Sequence, residues 1–318
     1  MQPLFDDVYL RTLYGSGRRD TRELLEYYVR RFHTLRNADD YDLIWIEKEV
    51  FPFVPGHLER WSIPHGIPYV VDYDDATFHR YDQHRSGLIR SLFAKKLYPL
   101  LASASAVTAG NPYLADYAKR AGASSVEIVP TVVDIDRYQC VPVAGDDELR
   151  IGWIGSPSTT RYLELLKQPL EKLSREVPIR LVTIGAADLP KIRVPDEQHP
   201  WSEETEATLL STCHVGVMPL ADEAWERGKC GYKLIQYMAC ALPVVASPVG
   251  VNRDIVTDRV GFLAESAEQW LDALQQIARD AALRRQLGQA GRLAVEARYS
   301  LQAQAPRLIE LLLRASGR

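Results

Sequence analysis

The chain has 318 residues, 46% of them hydrophobic and 25% charged, with a formal net charge of -4. That length exceeds what one hydrophobic core usually organises, so two domains are expected, and the mixed signs form no basic stripe, which argues against a nucleic-acid partner. Four cysteines (Cys140, Cys213, Cys230, Cys240) with no CxxC pair and no histidine at ligand spacing suggest neither a zinc site nor a disulfide framework, so no metal is expected. No run approaches the roughly 18 apolar residues of a spanning helix, and the N-terminus lacks a signal-peptide pattern, so a cytoplasmic protein is expected.

In chain order, "MQPLFDDVYLRTLYGSGRRD" holds no apolar strand and leads into a helical pattern near residue 20. Short β-branched runs follow, "YDLIWIE", "IPYVVDY", "SAVTAG" and "VEIVP", separated by helical stretches such as "SGLIRSLFAKKLYPLLAS" and "PYLADYAKRAG". That alternation predicts βαβ units around a parallel sheet. The turn-rich "VPVAGDDE" interrupts it, and it resumes with "LRIGWIG", "IRLVTIG", "CHVGVMP" and "LPVVAS". The predicted organisation is an N-terminal α/β domain over 1–145, a second over 146–298, and a terminal helix over 299–318 opened by a Ser300 cap.

The most informative stretch is "GKCGYKLIQYMACALPVVASPVG", residues 228–250. Gly228 and Gly231 precede an apolar helix, whose first-turn N–H groups are free and whose dipole favours an anion by roughly 0.3 to 1 kcal/mol. Lys229 and Lys233 add full charges within a turn of each other, which points to phosphate. Pro243 ends the helix, "VVAS" has the composition of a buried parallel strand, and Gly250 follows at the strand end where α/β sheets bind ligands. Ordinary turn glycines and a solvated lysine are the plain alternative.

This segment resembles the donor-binding region of the group 1, family 4-like retaining glycosyltransferases of GT-B fold. "AVTAGNPYLADYAKRAGASSVEIVPTVVDIDRY" and "IGWIGSPSTTRYLELL" resemble the end of their first domain and the start of their second. The resemblance implies two Rossmann-like domains facing across a cleft, with the last helix crossing back and the first βαβ unit of the N-terminal domain missing. It implies that Gly155, Ser156 and the helix start near Thr159 and Thr160 face a diphosphate from one side, with Lys229, Gly231 and Lys233 facing it from the other. Two glutamates of the family pattern fall on Gly228 and Gln236 here, so Gln236 is expected to reach the ribose through its amide, and Asp222, Glu223 or Glu226 to supply the missing acid.

"YVVDYDDATFH" places Asp72, Asp74 and Asp75 at a strand end. A DxD metal site, a phosphatase nucleophile pair and simple helix capping are alternatives. The favoured reading sets Asp74 and Asp75 in the cleft, with His79 nearby, orienting an acceptor hydroxyl or taking its proton. Trp201 is either packed or beside the nucleobase. The amphipathic stretches 19–36 and 88–101 are either solvated faces or peripheral membrane contacts.

The expected activity is metal-independent transfer of a sugar, with retention, from a UDP-, GDP- or TDP-sugar to a hydroxyl of a sugar or lipid-linked acceptor, in cell-surface glycan or glycolipid synthesis. A nucleotide-sugar 2-epimerase or a non-catalytic partner subunit of the same fold are the alternatives.

Overall fold

The computed structural model describes residues 2–6, 8–9, 21–138, 145 and 147–318. Among these residues the chain forms two wholly parallel sheets, one in each half. The first is four-stranded, with β1 (Ile44–Glu47), β2 (Tyr69–Tyr73), β3 (Ala106–Ala109) and β4 (Val126–Ile128) side by side in chain order. The second contains β5 (Leu149–Ile154), β6 (Ile179–Ile184), β7 (Asp196–His199), β8 (Val215–Met218), β9 (Val244–Ala246) and β10 (Gly261–Leu263), in the spatial order β10-β9-β8-β5-β6-β7. The helices that accompany these sheets include α1 (Thr21–Arg36), α2 (Pro112–Arg120), α3 (Glu206–Ser211), α4 (Ala224–Arg227), α5 (Tyr232–Ala239) and α6 (Leu301–Ser316).

The β-branched runs become strands because a parallel sheet covered by helices on both faces buries the side chains of its central strands. Val70 and Val71 of β2 and Val244 and Val245 of β9 are wholly buried. Each face of the second sheet has its own core, one built on Trp153, Leu163 and Trp270, the other on Val182, Leu234 and Tyr237. The stretch from Gly87 to Ala102 is two short helices, Gly87–Phe93 and Tyr98–Ala102, where one was expected. Pro99 sits in the first turn of the second, a position that opens a helix and cannot continue one. The intervening Lys96 is drawn into the core by Glu59 at 2.6 Å and Glu49 at 2.8 Å.

The domain boundary expected at 145–146 adjoins positions 139–144 and 146, which lie outside the described residues. Across it, the last helix returns to the first sheet. Ser300 Oγ caps α6 by accepting from Ala303 N at 3.1 Å. Leu311 packs on Val70 and Ala106, and Arg314 pairs with Glu127 at 2.6 Å. Val133 N donates to Tyr299 O and Leu301 N to Val133 O, so the helix is tied to the interdomain segment at its root.

Candidate active site

The C-terminal edges of both sheets face one cleft, and the contacts that join them come from the loop 228–230. Asn111, which caps α2 through Leu114 N, donates from Nδ2 to Gly228 O at 2.9 Å and Lys229 O at 3.0 Å. Cys230 Sγ donates to Asp74 O at 3.0 Å, and a Cβ on Gly228 would lie 2.3 Å from that of Ala76. Gly228 is therefore a point of close approach between domains.

On the second sheet, spatial order reverses between β5 and β8, the topological switch where loops part to admit a ligand. Strands β5, β6 and β7 end in register at Ile154, Ile184 and His199, so Gly155 and Gly185 come next along one edge, followed by Trp201, one residue further on after Pro200. Neither glycine has room for a side chain. A Cβ on Gly155 would lie 2.6 Å from Lys233 Nζ and from the Trp153 ring; one on Gly185 (φ +76°) would lie 2.4 Å from Gly155 O.

After Gly155 the chain enters the expected helix, Pro157–Leu166, which winds as 3₁₀. Ser156 Oγ lies 3.0 Å from Ser158 Oγ, and Lys233 Nζ donates to Thr159 Oγ1 at 3.3 Å. The starts of the 3₁₀ helix and of α5 thus converge on one place. Thr160 does not line it. It is 2% exposed, and its hydroxyl accepts from Ala187 N at 3.1 Å, so it braces the loop after β6 and Thr159 is the hydroxyl beside the lysine.

Helix α5 opens at Gly231, whose φ of +70° lies in the left-handed region that glycine favours. The Lys233 ammonium rests 4.6 Å from the centroid of the Trp153 ring. Burial, then the Lys229 charge, push it down to about 7, and no carboxylate among the described residues pairs with it. A half-buried cation without a counter-ion invites an anion.

Several expected ligand contacts are placed differently. Lys229 Nζ reaches across the cleft to within 4.0 Å of Asp75 Oδ2. Gly250 (φ +52°) lies against the end of α4, since a Cβ there would lie 2.6 Å from Arg227 O. Gln236 is buried, and its Nε2 donates to Tyr138 Oη at 3.1 Å, which takes that donor away from a ribose. Tyr138 Oη donates in turn to Glu206 Oε1 at 2.7 Å, and Trp201 Nε1 donates to Glu206 Oε2 at 2.7 Å. Glu226, on α4, is 2% exposed; Tyr162 Oη donates to its Oε1, while its Oε2 is buried with no partner among the described residues. Burial pushes the Tyr162 phenol up to about 12.

The first sheet presents acids. Its register sets Glu47, Asp72 and Thr108 abreast. Asp72 Oδ1 accepts from Thr108 Oγ1 at 2.5 Å, and burial pushes its carboxyl up to about 6. Lys48 (φ +65°) holds Asp74 at 2.9 Å. Asp75 Oδ1 accepts from Ala76 N at 2.9 Å, and burial raises its carboxyl despite Lys229. His79 is taken up by Asp82 at 2.7 Å and Tyr113 Oη at 2.8 Å, which leaves the acids to face the cleft.

The sequence reading did not single out Tyr138, Tyr162, Glu206 or Asn111. Asn111 followed by Pro112 is legible as a helix cap, but its grip on the opposite domain is not. Glu206 has only the appearance of an acid in the first turn of a helix.

Residues 148–280 match the family described as "Glycosyl transferases group 1", within the second domain. A search of curated proteins finds no match to the chain. Among solved structures, HepE from Anabaena in complex with UDP-glucose is similar with a TM-score of 0.71 at 15% identity, over 98% of this chain and 90% of that one. Sucrose-phosphate synthase from Thermosynechococcus elongatus is similar with a TM-score of 0.66 at 20% identity, over 92% of this chain and 78% of that one. TarM is similar with a TM-score of 0.68 at 13% identity, over 90% of this chain and 58% of that one. The fold is GT-B, and the match to the group 1 glycosyltransferase family falls on the C-terminal side of the cleft.

Proposed function

We propose that the chain is a hexosyltransferase that moves a sugar, with retention, from a UDP-, GDP- or TDP-sugar to a hydroxyl of a sugar or lipid-linked acceptor. We place it in cell-surface glycan or glycolipid synthesis. The observation that carries this reading is Lys233, a half-buried ammonium with no carboxylate partner among the described residues, set against Gly155 and Thr159 at the switch point of the sheet. The UDP-glucose bound by HepE, whose fold this chain shares, supports a nucleotide sugar as the donor.

In this reading the C1–oxygen bond to the diphosphate breaks as the acceptor oxygen forms a new bond to C1. Lys233, the free N–H groups at the start of α5 and the hydroxyls of Ser156 and Thr159 meet the charge that develops on the leaving diphosphate, and no metal ion is required. Glu226 offers its unpartnered Oε2 to a hydroxyl of the donor sugar. Asp75 receives the proton of the acceptor hydroxyl, its carboxyl raised by burial towards the operating pH, while Asp74 holds Lys48 beside it.

The test is thermal shift against UDP, GDP and TDP, since a ligand at about a hundred times its dissociation constant stabilises by roughly 2.7 kcal/mol. One of the three should stabilise the wild type and fail to stabilise Lys233→Ala; equal stabilisation of both proteins removes the site. Peripheral membrane contact belongs to the same proposal. Leu25 and Val29 are exposed on one face of α1, and Phe32, a turn further on, stacks on exposed Trp61 at 6.0 Å, with Arg22 and Arg30 on the same helix. Flotation with anionic vesicles checks it, and Leu25→Glu with Val29→Glu should abolish any binding seen.

A further inference from the structure

Trp201 is 56% exposed, yet its indole N–H is held at 2.7 Å by Glu206, which is 4% exposed. An exposed indole needs no buried partner for its own solvation. Burying a carboxylate is costly unless its oxygens are satisfied, and here Tyr138 and Trp201 each take one. The arrangement fixes the orientation of a ring whose surface is left open, which is the property of a platform.

Its place along the sheet edge says what the platform is for. Strands β5, β6 and β7 end together, so the order along the edge is Lys233 beside Gly155, then Gly185, then Trp201. A Cβ on Gly185 would lie 3.0 Å from Trp201 Cβ, so the glycine is what lets the tryptophan close up to the site. Two strand spacings of about 4.8 Å set Trp201 about 10 Å from the lysine end, the reach of a nucleoside from its phosphates.

We infer that Trp201 is the stacking platform for the nucleobase of the donor and that Glu206 is the positioning residue that holds its indole. This rests on the diphosphate site at Lys233. Glu206 is also joined through Tyr138 to Gln236, one turn beyond Lys233 on α5, so the same carboxylate braces both ends of the nucleotide site. Every base offers a π-face, so the platform contributes affinity for a nucleoside and leaves discrimination among bases to other groups.

Isothermal titration of UDP, GDP, TDP and inorganic pyrophosphate into wild type, Trp201→Ala, Trp201→Phe, Glu206→Gln and Lys233→Met separates the two assignments. Trp201→Ala should weaken the preferred nucleotide by about 5- to 150-fold and leave pyrophosphate within twofold, with Trp201→Phe recovering most of the loss. Glu206→Gln should lower the nucleotide-to-pyrophosphate affinity ratio in the same direction by less. Unchanged nucleotide affinity in Trp201→Ala, or an equal loss of both ligands, overturns the platform. Lys233→Met should lose both ligands, and that result upholds the diphosphate site even where the Trp201 variants behave as wild type. If Lys233→Met binds both ligands as wild type does, the diphosphate site falls and the platform with it.

Discussion

The two sheets are made by the same parallel crossovers, but their facing edges carry opposite chemistry. The second ends in small residues, Gly155, Ser156 and Thr159, around a lysine with which no carboxylate among the described residues pairs. The first ends in Glu47, Asp72, Asp74 and Asp75, with Lys48 drawn among them. A cation with no carboxylate beside it suits an anionic ligand, whereas crowded carboxyls, two of them (Asp72 and Asp75) raised by burial, suit hydroxyls and their protons. In the proposed reading, the contrast sets the donor on one wall and the acceptor on the other. The loop 228–230 makes them a single site, because its carbonyls are gripped by Asn111 while its chain leads into Lys233.

The comparison breaks most sharply at Asp75. Asp75→Asn should lower sugar transfer, or donor hydrolysis as its water-accepting counterpart, by about 10²- to 10⁴-fold and leave nucleotide affinity within twofold. An equal loss of both means that Asp75 serves the donor wall.

Lys233→Met should weaken nucleotide binding by about 10- to 150-fold, the loss of a charge-assisted contact worth about 1.5 to 3 kcal/mol. The same change should raise the stability of the unliganded protein in urea, because a desolvated cation is removed. A fall in both quantities assigns the lysine to structure alone.

The third test is pH. The folded-state value of Lys233 is lowered to about 7 from 10.5. Below pH 7 both folded and unfolded chains carry the proton and the folded state bears the full desolvation penalty. That penalty fades as pH rises towards 10.5, so this group makes stability rise across the window. Nucleotide binding runs the other way: above about pH 7 the free site must take up a proton, so affinity should fall by about tenfold per pH unit, and Lys233→Met should remove that slope.

The smallest effect belongs to the joint between the walls. Asn111→Ala removes the cap of α2 and two hydrogen bonds to the loop, and should lower stability by about 1 to 3 kcal/mol in urea unfolding. A loss of transfer beyond that of nucleotide affinity shows that the joint aligns donor with acceptor.

The strands with β-branched runs were legible because a buried parallel strand has no polar choice. Two were not. β7 reads Asp-Glu-Gln-His and β10 spans only Gly261–Leu263; each is an edge, paired on one side alone, so burial writes little into its residues. Within the site, Lys233 was legible from its place after Gly231, and the convergence of the two helix starts was what the family resemblance implied. The choice of Thr160 failed because the first helix winds as 3₁₀, with about three residues per turn, and a different hydroxyl meets the lysine.

Sequence by itself determined the alternation of strand and helix, the glycine and lysine at the start of α5, and the acids after β2, since these depend on periodicity and on neighbours a few positions apart. Only the tertiary structure decided that Lys229 turns to Asp75, that Gln236 is occupied by Tyr138, and that Glu206 holds Trp201. The physical reason is separation. Gln236 and Tyr138 lie 98 positions apart and Asn111 and Gly228 lie 117 apart, and hydrogen bonds at such range depend on how the two sheets dock, which no local pattern records.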